Sequence, residues 1–426
     1  MSRQPETSTR MVWGVLVPLV ILLCPLPSLA RPNRVVFGYV PSWWDATAAP
    51  QEIDFEPFTH LARAFLRPRP DGTLKVDRDY FHPAFEAAAR AHGVQLLMSI
   101  GGESPTPDAW LAMARDPRHV QAFLDTLADL YRKHGYDGVD IDWEPPPQTD
   151  ADGRTYAALL HAIRQRFPDH LLTTALPPDE YGVAHLPVGD VLASLDYVNA
   201  MAYDYSGPWS GRALFGANLH AVRAGPAHTV SSVDQDMANL IQRHHVPPAK
   251  VLLGMTFCAY RFRVDHLGDH FPAHGTGWAD GDLTYPDVLD LLATGRYAAS
   301  RDEAADASVL TRIGGGGVVT YDDPKSIGDK CDAAQQLGCA GVMIWHVGAD
   351  QARGAPPRLA GVARRVGAAP PRSPSRSALA REVARLRGRP VSPTETVESL
   401  LTADDALRAD HAKAADDRWR AMGTTR

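Results

Sequence analysis

The 426-residue sequence predicts an α/β fold, a TIM (β/α)8 barrel with a small α+β insertion between its seventh and eighth strands. Three observations carry that expectation. Short apolar runs alternate with amphipathic stretches from Arg34 to about Ala363, the pattern of βα units around a parallel sheet. The runs number eight, the count that closes such a barrel. The first run is followed by Pro41 rather than by the glycine-rich phosphate turn of a doubly wound open sheet.

In chain order the expected strands are Val35–Val40, Thr59–Phe65, Val94–Ile100, Gly138–Trp143, Leu171–Leu176, Tyr197–Tyr203, Lys250–Thr256 and Gly341–Trp345. Helix patterns lie between them: Val120–His134, Tyr156–Phe167, Val233–His244 and Ser326–Leu337 place apolar residues three and four apart. Gly135 and Gly338 follow two of these, where a left-handed cap ends a helix at little cost.

About 80 residues separate the last two strands, where a βα unit of a barrel averages roughly 30. A small α+β subdomain over about 262–319 accounts for the excess, suggested by contents that include Gly281–Pro286 and the run Gly314–Gly317 before Val318–Tyr321. The barrel domain is thus expected over 34–366. Beyond it, Gly367-Ala368-Ala369-Pro370-Pro371 opens a linker, and 367–426 reads as linker plus a helical or disordered tail.

At the other end, Arg3 and Arg10 precede an apolar run, Met11–Leu29, that closes on Ser28-Leu29-Ala30. Residues 1–30 therefore read as a signal peptide, which implies a secreted or periplasmic chain with no stable membrane insertion after cleavage. A retained membrane anchor is the alternative. Pro18, Pro25 and Pro27 interrupt a run already short for the roughly 20 residues that span a bilayer. The formal charge of −7, with Lys and Arg scattered, argues against a nucleic-acid partner. Cys258, Cys331 and Cys339 remain after cleavage, an odd and irregular set that suits buried thiols, with Cys331 to Cys339 the one conceivable bridge. A monomer is expected.

The chemistry gathers at Asp137–Glu144, which reads DGVDIDWE. Side chains alternate along a strand, so Asp140, Asp142 and Glu144 share one face while Val139, Ile141 and Trp143 take the other. In a barrel the inward face climbs toward the catalytic mouth, with Asp140 deepest and Glu144 highest. Two carboxylates about 5 Å apart repel by roughly 3 kcal/mol at an effective dielectric near 20. A shared proton and raised pKa values follow, which is what a general acid working near neutrality needs.

DGVDIDWE resembles the DGxDxDxE signature of glycoside hydrolase family 18, the chitinases and their relatives. Ser99-Ile100-Gly101-Gly102 looks like that family's SxGG, and Met201-Ala202-Tyr203-Asp204 like its MxYD. Tyr321–Ile327 and Gly341–Trp345 are similar to its final segment, and the order holds from about Arg34 to Ala363.

The resemblance implies a TIM barrel with an inserted subdomain. It also implies hydrolysis of β-1,4-linked N-acetylglucosamine polymers, in which the substrate's own acetamido group is the nucleophile. Glu144 is then the proton donor, Asp142 orients the acetamido group, and Asp140 tunes Asp142 through the shared proton. Tyr203 donates to the acetamido oxygen, and Asp204 binds sugar or supports Glu144. Trp345 is the apolar floor, with Tyr39, Ser99 and Met201 completing the wall and its support. Trp43, Trp44 and Trp209 follow strands one and six, where stacking on further sugars and ordinary loop burial both remain open. No metal or organic cofactor is implied. The partner is chitin or N-acetylglucosamine oligosaccharides.

Two departures stand out. Pro145-Pro146-Pro147 follows the glutamate where many relatives carry an aromatic residue, and strand seven reads Gly254–Arg261 without the usual GxPxYGR. These keep glycoprotein or cell-wall glycans open as substrates. A chitin-binding lectin on the same barrel is a further alternative, against which the intact Glu144 weighs.

Overall fold

The computed structural model describes residues 34–44, 53–103, 108–222, 231–274, 277–350 and 359–363. The expected signal peptide, 1–30, and the linker and tail, 367–426, lie outside the described residues.

The barrel strands are β1 (Val35–Pro41), β2 (His60–Pro68), β3 (Gln95–Gly101), β4 (Gly138–Asp142), β5 (Leu171–Leu176), β6 (Tyr197–Ala200), β7 (Val251–Thr256) and β8 (Gly341–Trp345). Each pairs in parallel with the next, and β8 returns to β1, so the sheet closes. Alternation sorts the side chains. Phe37, Tyr39, Ala62, Leu97, Leu252 and Met343 fill the barrel interior, while Val36, Val40, Leu61, Met98 and Ile141 point outward into the larger core beneath the helices. Full burial of each such Val, Leu or Phe contributes about 1.5–3 kcal/mol.

The helices start and stop where their chemistry dictates. Helix Pro117–His134 opens on Asp116, whose side chain accepts from the Arg118 amide, and ends at Gly135 with φ 65°. Helix Pro324–Gln336 opens on an Asp323/Ser326 capping box, and Gly338 follows it at φ 75°. β6 is shorter than expected, because the chain leaves the ladder after Ala200 and reaches a positive φ of 63° at Asp204.

Between β7 and β8 lies a five-stranded antiparallel sheet, in the order Ala279–Thr284, Cys258–Phe262, Val318–Tyr321, Ala307–Arg312, Tyr297–Asp302, with helix Tyr285–Ala293. It begins at Cys258, two residues after β7 ends, and so reaches further at both ends than 262–319. Asp322 and Lys330, both buried, form an ion pair where the chain re-enters the barrel. Cys258, Cys331 and Cys339 are buried and form no disulfide among the described residues.

Candidate active site

β4 delivers its carboxyls to the barrel interior as the alternation requires. Trp143 takes the opposite face and stacks on Trp110, with ring centroids 4.9 Å apart.

Asp140 is fully buried under the mouth. Its Oδ2 accepts from the Tyr39 hydroxyl at 2.9 Å and the Ser99 hydroxyl at 2.8 Å. Its Oδ1 accepts from Thr173 at 2.6 Å and from the Asn199 amide at 3.1 Å, and Asn199 also donates to Tyr39 at 2.9 Å. Burial holds this carboxyl above its usual range, and the donors oppose that by favouring the ionised form. Asp140 accepts from four neutral donors among the described residues, and its charge is one of those that raise Asp142.

Asp142 is buried one step higher, and its Oδ1 has no hydrogen-bond partner among the described residues. Its pKa lies well above the usual carboxylate range because of burial, then the charges of Glu144 and Asp140. Glu144 stands at the rim. Burial, then the charges of Glu103 and Asp204, push it up to about 7, with Arg67 opposing. Asp142 therefore feels the charge of Glu144 above it as well as that of Asp140 below.

The two glycines after Ile100 let β3 approach this row. Gly101 has φ 120°, and a Cβ there would sit 1.8 Å from the Asp142 carbonyl oxygen. The Gly102 amide donates to that same oxygen at 2.8 Å. Any larger residue would push β3 off the catalytic strand.

Above the carboxyls opens a cleft of about 750 Å³, within the size range of ligand pockets. Asp142, Glu144, Tyr39, Met201, Tyr203, Asp204 and Trp345 line it, as do Trp43, Trp44 and Trp209. Ser99 and Asp140 lie below, out of the lining. Among the described residues the Tyr203 hydroxyl reaches only the weak acceptor Met343 Sδ, at 3.8 Å, which leaves it available to a ligand oxygen. Trp345 forms part of the floor, stacked on Phe65 with centroids 5.8 Å apart and planes at 16°. Trp43 and Trp209 are 55% and 43% exposed, after β1 and β6 respectively. Trp44 instead packs against Gly348, where a Cβ would meet its ring at 2.5 Å.

Several residues of the site, in the cleft or beneath it, escape the sequence reading. Thr173 and Asn199 were findable, because register sets Thr173 beside Asp140 and alternation sets Asn199 on the face of Met201. Phe65, Arg67, Glu103 and His346 carry no local signal beyond their place at strand ends. Burial lowers His346 to about 4, so it is neutral near pH 7. Tyr260 answers the altered strand-seven motif. Two residues beyond Cys258, it lines the cleft and donates to Asp204 Oδ1 at 2.7 Å, whereas Arg261 pairs with Asp280.

A closed parallel barrel with a protonatable glutamate over a second acidic carboxyl, in an aromatic-lined cleft, defines a TIM-barrel glycoside hydrolase. Residues 35–350 match the sequence model of glycosyl hydrolases family 18, and the chain belongs to that family as a chitinase-like glycoside hydrolase. It is similar to a class V chitinase of Arabidopsis thaliana, 29% identical over 333 residues, 73% of this chain and 86% of the relative. Among solved structures it resembles a mutant class V chitinase from Nicotiana tobaccum in complex with NAG4, with a TM-score of 0.67, 27% identity, and 78% and 98% of the two chains covered. The group IV chitinase of Ostrinia furnacalis shares the fold, with a TM-score of 0.70 at 22% identity over 78% and 99% of the chains.

Proposed function

We propose that the protein hydrolyses β-1,4-linked N-acetylglucosamine polymers, chitin and its oligosaccharides, by substrate-assisted retaining catalysis outside the cytoplasm. Asp142 and Glu144 carry the reading: the last residue of β4 and the residue two beyond it face one cleft, both with elevated pKa values. Two groups on one side suit a proton donor and an acetamide holder, not an acid facing an enzyme nucleophile across the sugar.

Glu144, protonated below about pH 7, gives its proton to the glycosidic oxygen as the C1–O bond breaks. The acetamido oxygen closes on C1 from the opposite face and forms an oxazolinium ion. Asp142, through its unengaged Oδ1, holds the acetamido N–H and stabilises the charge that grows there. Tyr203 donates to the acetamido oxygen and aims it, while Trp345 supports the apolar face of the ring. Water then attacks C1 on the face the leaving group vacated, Glu144 takes its proton, and the configuration is retained. Asp140 raises the proton affinity of Asp142 through its charge from below, and Asp204 keeps a charge near Glu144 that favours its protonated state.

The test is Glu144→Gln beside wild type on fluorogenic chitobiosides and chitotriosides. Loss of the acid lowers kcat by about 10²–10⁴-fold. Equal turnover would remove Glu144 from its role. Binding of chitooligosaccharides by wild type without turnover would make the protein a lectin.

A further inference from the structure

Four carboxyl groups line the cleft among the described residues, and the mechanism uses Asp142, Glu144 and Asp204. Glu103 is left over. It follows Gly101 and Gly102 at the end of β3, is exposed at the mouth, and its carboxylate has no hydrogen-bond partner among the described residues. The nearby cation is otherwise engaged. Arg67 donates to the main-chain oxygens of Gly101 and Glu103, the latter at 2.9 Å, and its guanidinium lies 5.1 Å from the centroid of the Phe65 ring. Phe65 in turn neighbours the exposed Trp43, with centroids 6.2 Å apart. One wall of the cleft, built from the ends of β1, β2 and β3, thus joins an open indole face to a carboxylate without a hydrogen-bond partner among the described residues.

A fully acetylated polymer is neutral and offers that carboxylate hydroxyl and amide donors but no counter-charge, and the carboxylate's own charge raises Glu144. An amino sugar offers both halves of a match: a C–H face to stack on the indole and an ammonium to pair with the carboxylate. Resting on the hydrolytic reading above, we propose that Glu103 and Trp43 form a subsite for a de-N-acetylated glucosamine unit, which makes partially deacetylated chitin the preferred substrate. The unit at Asp142 must keep its acetyl group, because that group is the nucleophile. The selected pattern is therefore an acetylated unit at the bond cleaved and a deacetylated one against the β1–β3 wall.

The experiment compares kcat/KM on one partially deacetylated chitin and on the same sample chemically re-acetylated, for wild type, Glu103→Gln and Glu103→Asp. Wild type favours the deacetylated form. In Glu103→Gln the ratio falls about fivefold, the scale of one partly exposed charged contact, and Glu103→Asp recovers part of it. A ratio unchanged by Glu103→Gln, or no preference in wild type, overturns the proposal. Calorimetric titration of a glucosamine tetramer into Glu144→Gln protein, with and without Glu103→Gln, reads the same contact without turnover. If neither polymer is cleaved, the hydrolytic reading fails alone, and this titration decides on Glu103: weaker binding without the carboxylate upholds the subsite and equal binding overturns it.

Discussion

Tyr260, on the first strand of the insertion, donates a 2.7 Å hydrogen bond to Asp204, four residues beyond the end of β6. The bond fastens the inserted sheet to the barrel mouth at a residue whose charge helps keep Glu144 protonated. Its ring also packs where a Cβ on Gly216 would lie 2.9 Å away, and Trp209 meets it edge-on with centroids 5.5 Å apart. Tyr260→Phe keeps the ring and removes the donor. We expect a loss of about 1 kcal/mol in urea denaturation, and a fall in kcat larger than any rise in KM, about tenfold in steady-state assays. Unchanged kcat would reduce Tyr260 to packing.

Glu144 must be protonated to act, and its pKa stands at about 7. The pH profile of kcat/KM should therefore decline above about pH 7, roughly tenfold per unit. Glu103→Gln removes one of the charges that raise Glu144, so this basic limb should move to lower pH. A limb that stays in place shows that the two carboxyls do not sense each other.

The same raised pKa is a liability for stability. Glu144 binds its proton more tightly in the folded chain, so its contribution is complete below its ordinary value of 4.5 and is lost as pH rises through about 7. That interval corresponds to at most about 3 kcal/mol. Glu144→Gln should melt above wild type at pH 8, with the gap closing by pH 5. Equal melting temperatures at pH 8 would argue that Glu144 is not held against its charge.

Asp140→Asn exchanges one acceptor oxygen of a fully buried, four-donor site for an amide that itself donates. Opposed donors in a dry interior should cost about 2–4 kcal/mol in chemical denaturation, together with most of the activity, because Tyr39, Ser99 and Asn199 lose their common anchor. A neutral outcome would mean that Asp140 already carries a proton.

The barrel was legible because burial on both faces of a parallel strand writes a continuous apolar run. Leu171–Leu176 and Gly341–Trp345 have the same bounds in sequence and structure. Tyr197–Tyr203 overran, since the apolar pattern continues through Met201 and Tyr203 after the ladder ends at Ala200. The carboxyl row was legible through alternation, and the surrounding motifs through resemblance. Thr173 and Asn199 needed register as well as alternation. Glu103 and Arg67 needed the strand pairing, because parallel β2, β3 and β4 lie side by side and end together at the mouth. Tyr260 was obscured because the motif expected on strand seven is displaced onto the strand that follows.

The central claim is that the substrate's acetamide, held by Asp142, supplies the nucleophile. The measurement is the initial rate of wild-type protein on a chitobioside and on the cellobioside with the same fluorogenic leaving group. The account predicts turnover of the first and none above background for the second, which has a hydroxyl where the acetamide should be. Hydrolysis of both at comparable rates would contradict it.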